Sequence, residues 1–139
     1  MIYPFIDLIE NESYLTAEVQ ILLCGVIIEN LGRALSGKGA YFWEYAKLLL
    51  KDVQGIVISD SSQMKIWAQA VAHAYNGIKH VEHVQMSVRK KAELLHEVKL
   101  MLKYWVAKRL GCDESIIKEH IGTHRIELAE INSIFPYSW

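Results

Sequence analysis

The stretch from Ser87 to Leu110, Ser-Val-Arg-Lys-Lys-Ala-Glu-Leu-Leu-His-Glu-Val-Lys-Leu-Met-Leu-Lys-Tyr-Trp-Val-Ala-Lys-Arg-Leu, decides the fold class. Leu94, Leu95, Val98, Met101, Leu102, Trp105, Val106 and Leu110 recur at three- and four-residue spacing, the period of a helix with one buried stripe. Gly111 follows as a C-terminal stop. No strand alternation interrupts it, so this segment reads as one long helix.

The same period appears upstream. From Tyr14 to Leu35 the residues Leu15, Val19, Leu22, Leu23, Val26, Ile27 and Leu31 predict a second helix. Ser13 or Thr16 is placed to cap its start, and Gly37 with Gly39 ends it. A third is expected over about Tyr41 to Val53, with Phe42, Tyr45, Leu48 and Leu49 on one face. Gly55 to Ser59 is short and β-branched and reads as a connection, with strand as the alternative. Asp60-Ser61-Ser62 is an N-cap cluster for a further helix carrying Ile66, Trp67, Ala70, Val71 and Ala74 toward Ile78. A break is expected around Val81 to Ser87, and a shorter helix over about Glu114 to Ile121. Together these predict an all-α bundle of four to five helices.

The chain's 139 residues make one ordinary domain, and 52% hydrophobic with 22% charged residues supplies a real core. Its formal charge of −1 exerts no whole-chain pull toward nucleic acid or anionic lipid. The distribution is uneven, however. Residues 1–60 carry four basic against eight acidic groups, whereas residues 79–109 carry eight basic against three acidic. A polyanion could use that basic segment, and an ordinary solvated helix face is the plainer reading. The longest apolar run, Ile21 to Ile28, is far short of the ~20 residues a membrane span needs. Cys24 and Cys112 match no metal or redox spacing and fit packed thiols in a reducing compartment. No basic leader precedes the acidic residues Asp7 and Glu10, so a cytoplasmic location is expected. Ending on Trp139 without a polar tail suggests a domain cut from, or docked on, something larger.

The residues richest in chemistry are His73-Ala74-Tyr75-Asn76-Gly77-Ile78-Lys79-His80-Val81-Glu82-His83. Asn76, Lys79 and His80 share a face if the helix continues through Gly77. Asn76-Gly77 is also a good turn pair, which would end the helix instead. His80 suits proton transfer near neutrality, or an imidazolium favoured by a helix C-terminus. Lys79 suits a phosphate contact. Metal binding has weaker support. His80-x-x-His83 and His120-x-x-x-His124 are only pairs, and Ile121 stands where a metalloprotease helix has its Glu.

Asn76, Lys79 and His80 resemble the motif of HEPN domains, especially the ApeA-like type of prokaryotic abortive-infection proteins. That motif is an Arg followed by four to six residues and a His, often with Asn after the Arg and a basic residue before the His. Leu15 to Leu31, with its internal acidic Glu29, looks like the family's early helix. Leu100 to Gly111 looks like its long later helix. The resemblance spans roughly residues 13–125. It implies a HEPN-like bundle and metal-independent RNA cleavage without a cofactor, usually by a dimer that brings two motifs together. His80 would then be the acid/base, Asn76 the orienter, Lys79 the phosphate contact, and Arg89, Lys90 and Lys91 the RNA-binding flank. Such chemistry needs no metal because the attacking 2′-hydroxyl and the phosphorus are already tethered. The sequence departs from the pattern at Tyr75, which occupies the Arg position five residues before His80. A phenol lacks a guanidinium's charge, and losing such a donor costs ~10²–10³ in rate. Lys79 or Arg89 could substitute, and Tyr75 could stack on a base, although a packed aromatic is its plainer reading. A catalytically inactive helical dimerisation or protein-interaction module is the alternative, with a partner protein in place of RNA.

Overall fold

A computed structural model of the chain describes residues 14–56, 62–80 and 86–122. Among these residues there are five helices and no strand: α1 (Ala17–Ser36), α2 (Phe42–Asp52), α3 (Ser62–Lys79), α4 (Val88–Arg109) and α5 (Glu114–Gly122). The all-α bundle is as expected. Residues 57–61, with part of the connection and cap cluster, lie outside the described residues, as do Ser13, most of the 81–87 break and the chain after 122.

Local chemistry sets the ends. Thr16 Oγ1 accepts from Val19 N–H at 3.3 Å to start α1, and Gly37, at φ 67°, donates its N–H to Arg33 to close it. Glu44 accepts from Tyr41 N–H at 2.8 Å at the head of α2. Ser87 caps α4 through Lys90 N–H at 3.3 Å, and Gly111 takes φ 84° just past its end.

The buried faces are less predictable than the ends. In α1 the buried residues are Gln20, Ile21, Cys24, Gly25, Ile27, Ile28 and Gly32, whereas Val19 is 39% exposed and Leu22, Leu23, Val26 and Leu31 are only half-buried. The expected face is therefore turned. This helix is apolar almost all round, with a mean hydropathy of 1.4 over its most apolar window, so periodicity cannot choose its phase. By length and composition it is apolar enough to cross a membrane, contrary to the count of consecutive apolar residues, although here Cys24, Ile27 and Ile28 form core.

Two glycines choose the phase. A Cβ added at Gly25 would lie 2.2 Å from Tyr75 Cδ2, and one at Gly32 would lie 2.3 Å from Tyr45 Cβ. Seven residues apart, they let one aromatic side chain from α3 and one from α2 lie directly on the α1 backbone. Tyr45 continues beyond the contact: its hydroxyl accepts from Ala40 N–H and donates to Lys38 O, tying down the α1–α2 loop.

In α2 the fully buried residues are Tyr45, Ala46, Leu49 and Leu50, while Phe42 and Leu48 are half-buried. In α3 Ile66 is 38% exposed, and Leu110, just past the end of α4, is 80% exposed, so both leave the stripes assigned to them. The rest of the α4 stripe is buried except Val106, which is half-buried. An apolar void of about 10 Å³ remains between α1, α3 and α4, lined by Ile21, Cys24, Val71, Leu94 and Val98 among others. It holds no more than a single water. Burial pushes the Cys24 thiol up to about 12.

The α4 stripe also contains an acid. Glu97 is three residues after Leu94 and four before Met101, so helical register places it in the core, where it is 1% exposed. Trp67 Nε1–H donates to its Oε2 at 2.9 Å, while its Oε1 is enclosed without a hydrogen-bond partner. Loss of hydration raises its pKa to about 8, the Trp67 bond opposes this, and Glu93 adds repulsion.

Two outcomes follow. Gly25→Ala is expected to destabilise the bundle by about 1–3 kcal/mol through overpacking, less up to about 1 kcal/mol of helix propensity. Chemical denaturation of Gly25→Ala, Tyr75→Ala and the double variant should show strong coupling, and additive effects would refute the contact. For Glu97, the folded carboxyl keeps its proton to about 8 while the unfolded one releases it near 4.5. The unfolded state therefore binds fewer protons between these values. Stability should fall across that window as pH rises, by up to about 1.4 kcal/mol per pH unit, and level off above it. Glu97→Gln should raise Tm at pH 7 and flatten that slope; an unchanged pH profile would refute the buried acid.

Candidate functional site at the end of α3

The helix runs through Gly77, and His80 N–H donates to Asn76 O at 2.9 Å, so Asn76-Gly77 is not a turn. Asn76, Lys79 and His80 consequently lie on one side of the last turn, with Lys79 and His80 exposed and Asn76 half-buried. This is the C-terminal end of a helix, whose dipole favours cations and disfavours anions. An anion here depends on side-chain charge.

Tyr75 is a packed aromatic, the plainer of its two sequence readings, and not an accessible stacking platform: the residue is 4% exposed, with its ring on Gly25 and stacked on Phe42 at 4.5 Å between centroids and 26° between planes. Only the hydroxyl reaches the polar end, donating to Glu29 Oε2 at 3.4 Å. Lys79 Nζ sits 4.9 Å from the ring centroid, a cation–π distance. Burial raises the phenol's pKa, opposed by the Lys79 charge and reinforced by Glu29, so the group remains a hydrogen-bond donor at neutral pH.

The cation beside this pair is Arg33, which the sequence reading missed. Its Nη2 is 3.1 Å from Glu29 Oε1, so one carboxylate accepts from α1 and α3 together. The signal was available: Arg33 is one turn beyond Glu29, the spacing of an intrahelical ion pair. Glu29 itself is neither fully exposed nor fully buried, with 36% of its side chain accessible.

The basic flank on α4 is mostly committed elsewhere. Lys91 is 8% exposed and its Nζ lies 3.5 Å from Glu18, which withdraws it from any RNA-facing surface. Lys99 Nζ reaches Gln20 Oε1 at 3.4 Å, and burial lowers its pKa. Arg109 pairs with Asp52, which also accepts from Trp105 Nε1–H at 3.0 Å. Arg89 is highly exposed and pairs with Glu93 at 3.0 Å on its own helix, while Lys90 is half-buried. Two acids of the first half, Glu18 and Asp52, thus pair with Lys91 and Arg109 of α4, while Arg89, Lys103 and Lys108 stay on an exposed face.

Among the described residues no three His, Cys, Asp or Glu side chains converge in a metal-like group. His120 Nδ1 lies 3.0 Å from the Tyr104 hydroxyl; His83 and His124 lie outside the described residues. What the α3 end offers chemically is an imidazole, an amide and an ammonium on one turn, bordered by a phenol–carboxylate–guanidinium chain. No protein-family model, curated protein or solved structure matches this chain.

Proposed function

We propose that the chain is an RNA-directed, HEPN-like domain of the binding rather than the efficiently cleaving kind, acting in the cytoplasm in a prokaryotic antiviral or stress defence. The observation that carries this reading is the uninterrupted last turn of α3, which groups Asn76, Lys79 and His80 at the surface. Lys79 supplies charge to a phosphate, Asn76 holds a ribose or base edge, and His80 donates to a phosphate oxygen or moves a proton. The packed Tyr75 ring favours binding over cleavage, because the position that would carry a guanidinium carries a core aromatic instead.

Dimer formation belongs to the same proposal. Val19 is exposed on α1, and Leu22, Leu23 and Leu31 are half-buried, a surface on which a second copy could rest. A silent dimerisation or partner-protein module would use this surface without the α3 end.

The test is electrophoretic mobility of single-stranded RNA at low salt in chelator, comparing wild type with His80→Ala and Lys79→Ala. Wild type should shift RNA with an affinity that falls log-linearly with salt, by about 0.7 per phosphate neutralised. Each variant should weaken binding several-fold, and RNA cleavage should be slow or absent. An unshifted RNA with all three proteins removes the RNA reading and leaves the interaction module.

A further inference from the structure

We propose that Arg33, Lys79 and the Tyr75 hydroxyl form the phosphate-binding part of this site, and that the Glu29 carboxylate occupies it in the ligand-free chain. The inference rests on the RNA reading above and adds the residues that would hold the anion and the group that competes with it.

Three contacts carry it. Glu29 accepts from Arg33 Nη2 through Oε1 at 3.1 Å and lies 3.4 Å from the Tyr75 hydroxyl through Oε2. Lys79 Nζ stands on the Tyr75 ring at 4.9 Å. A planar anion with two oxygens, taken by a guanidinium and a hydroxyl from different helices, is the arrangement that two non-bridging phosphate oxygens would also adopt. The donors remain reachable, since 63% of the Arg33 side chain is accessible and Lys79 is exposed. Their geometry is anchored from behind, because the Tyr75 ring cannot shift without leaving Gly25 and Phe42.

Arg33 brings a guanidinium to this end of α3 from the neighbouring helix, through the carboxylate that it shares with the Tyr75 hydroxyl. Glu29 has the opposite effect on a ligand. It orders the donors when no phosphate is present, and an incoming phosphodiester must displace it against like-charge repulsion. The ligand class is therefore a nucleic-acid phosphate, and the resident carboxylate lowers its affinity.

The experiment measures binding of fluorescein-labelled oligouridylate by anisotropy at low salt, with inorganic phosphate as competitor. Wild type, Glu29→Gln, Arg33→Ala, Tyr75→Phe and His80→Ala are compared, each checked by circular dichroism melting. Tyr75→Phe keeps the ring on Gly25 and removes only the hydroxyl. Glu29→Gln should tighten binding by about three-fold or more, as expected when a repelling charge is removed from a phosphate contact. Arg33→Ala should weaken it by about ten-fold and reduce the salt slope by about one, and Tyr75→Phe should weaken it to a smaller extent. If His80→Ala weakens binding while Glu29→Gln and Arg33→Ala match wild type, the cradle is wrong and the RNA reading stands. If no variant binds RNA, both fall. Phosphate binding without oligouridylate binding overturns the nucleic-acid assignment.

Discussion

The bundle depends on the absence of two β-carbons. Gly25 and Gly32 leave the α1 backbone bare at two points, and Tyr75 and Tyr45 occupy those points from α3 and α2. Any larger residue would hold the neighbouring helices away, so the glycines fix both the distance between α1 and its neighbours and the rotation of α1 about its own axis. That rotation sends Ile21, Cys24 and Ile28 inward and leaves Val19 outside. It also brings Glu29 and Arg33 to the end of α3, where the polar residues are. Core packing and site assembly both follow from these two contacts.

Tyr75 joins the two. A ring enclosed on Gly25 and Phe42 belongs to the core, while its hydroxyl belongs to the polar end. Such a residue is poorly suited to moving during a reaction and well suited to presenting a donor in a fixed place. The proposed preference for recognition over turnover at the α3 end rests on this division.

The charge pattern has a similar internal explanation. Glu18 meets Lys91 across α1 and α4, and Asp52 meets Arg109 and Trp105 across α2 and α4. Partly exposed pairs of this kind contribute little stability singly, but they occupy charges that a polyanion would otherwise meet. At the α3 end, by contrast, Lys79 stands on the Tyr75 ring and Arg33 shares Glu29 with the Tyr75 hydroxyl. Glu97 shows the converse case, an acid retained in the core with one indole donor and held protonated by its surroundings.

The helices and their ends were determined by the sequence itself, because caps and stops act over a few residues: Thr16 and Ser87 bond the next turn, and Gly37 and Gly111 adopt φ values that other residues avoid. The grouping of Asn76, Lys79 and His80 was equally legible, since three- and four-residue spacing suffices once the helix continues. The face that α1 buries was not, because a helix apolar on most sides has no preferred phase until a partner's shape selects one. Nor could spacing reveal that Lys91 is buried against Glu18, or that the Tyr75 hydroxyl of α3 meets the Glu29–Arg33 pair of α1. Those facts depend on which side chains distant in sequence come within a few ångströms, and only the packing of tyrosine rings onto bare backbone decides that.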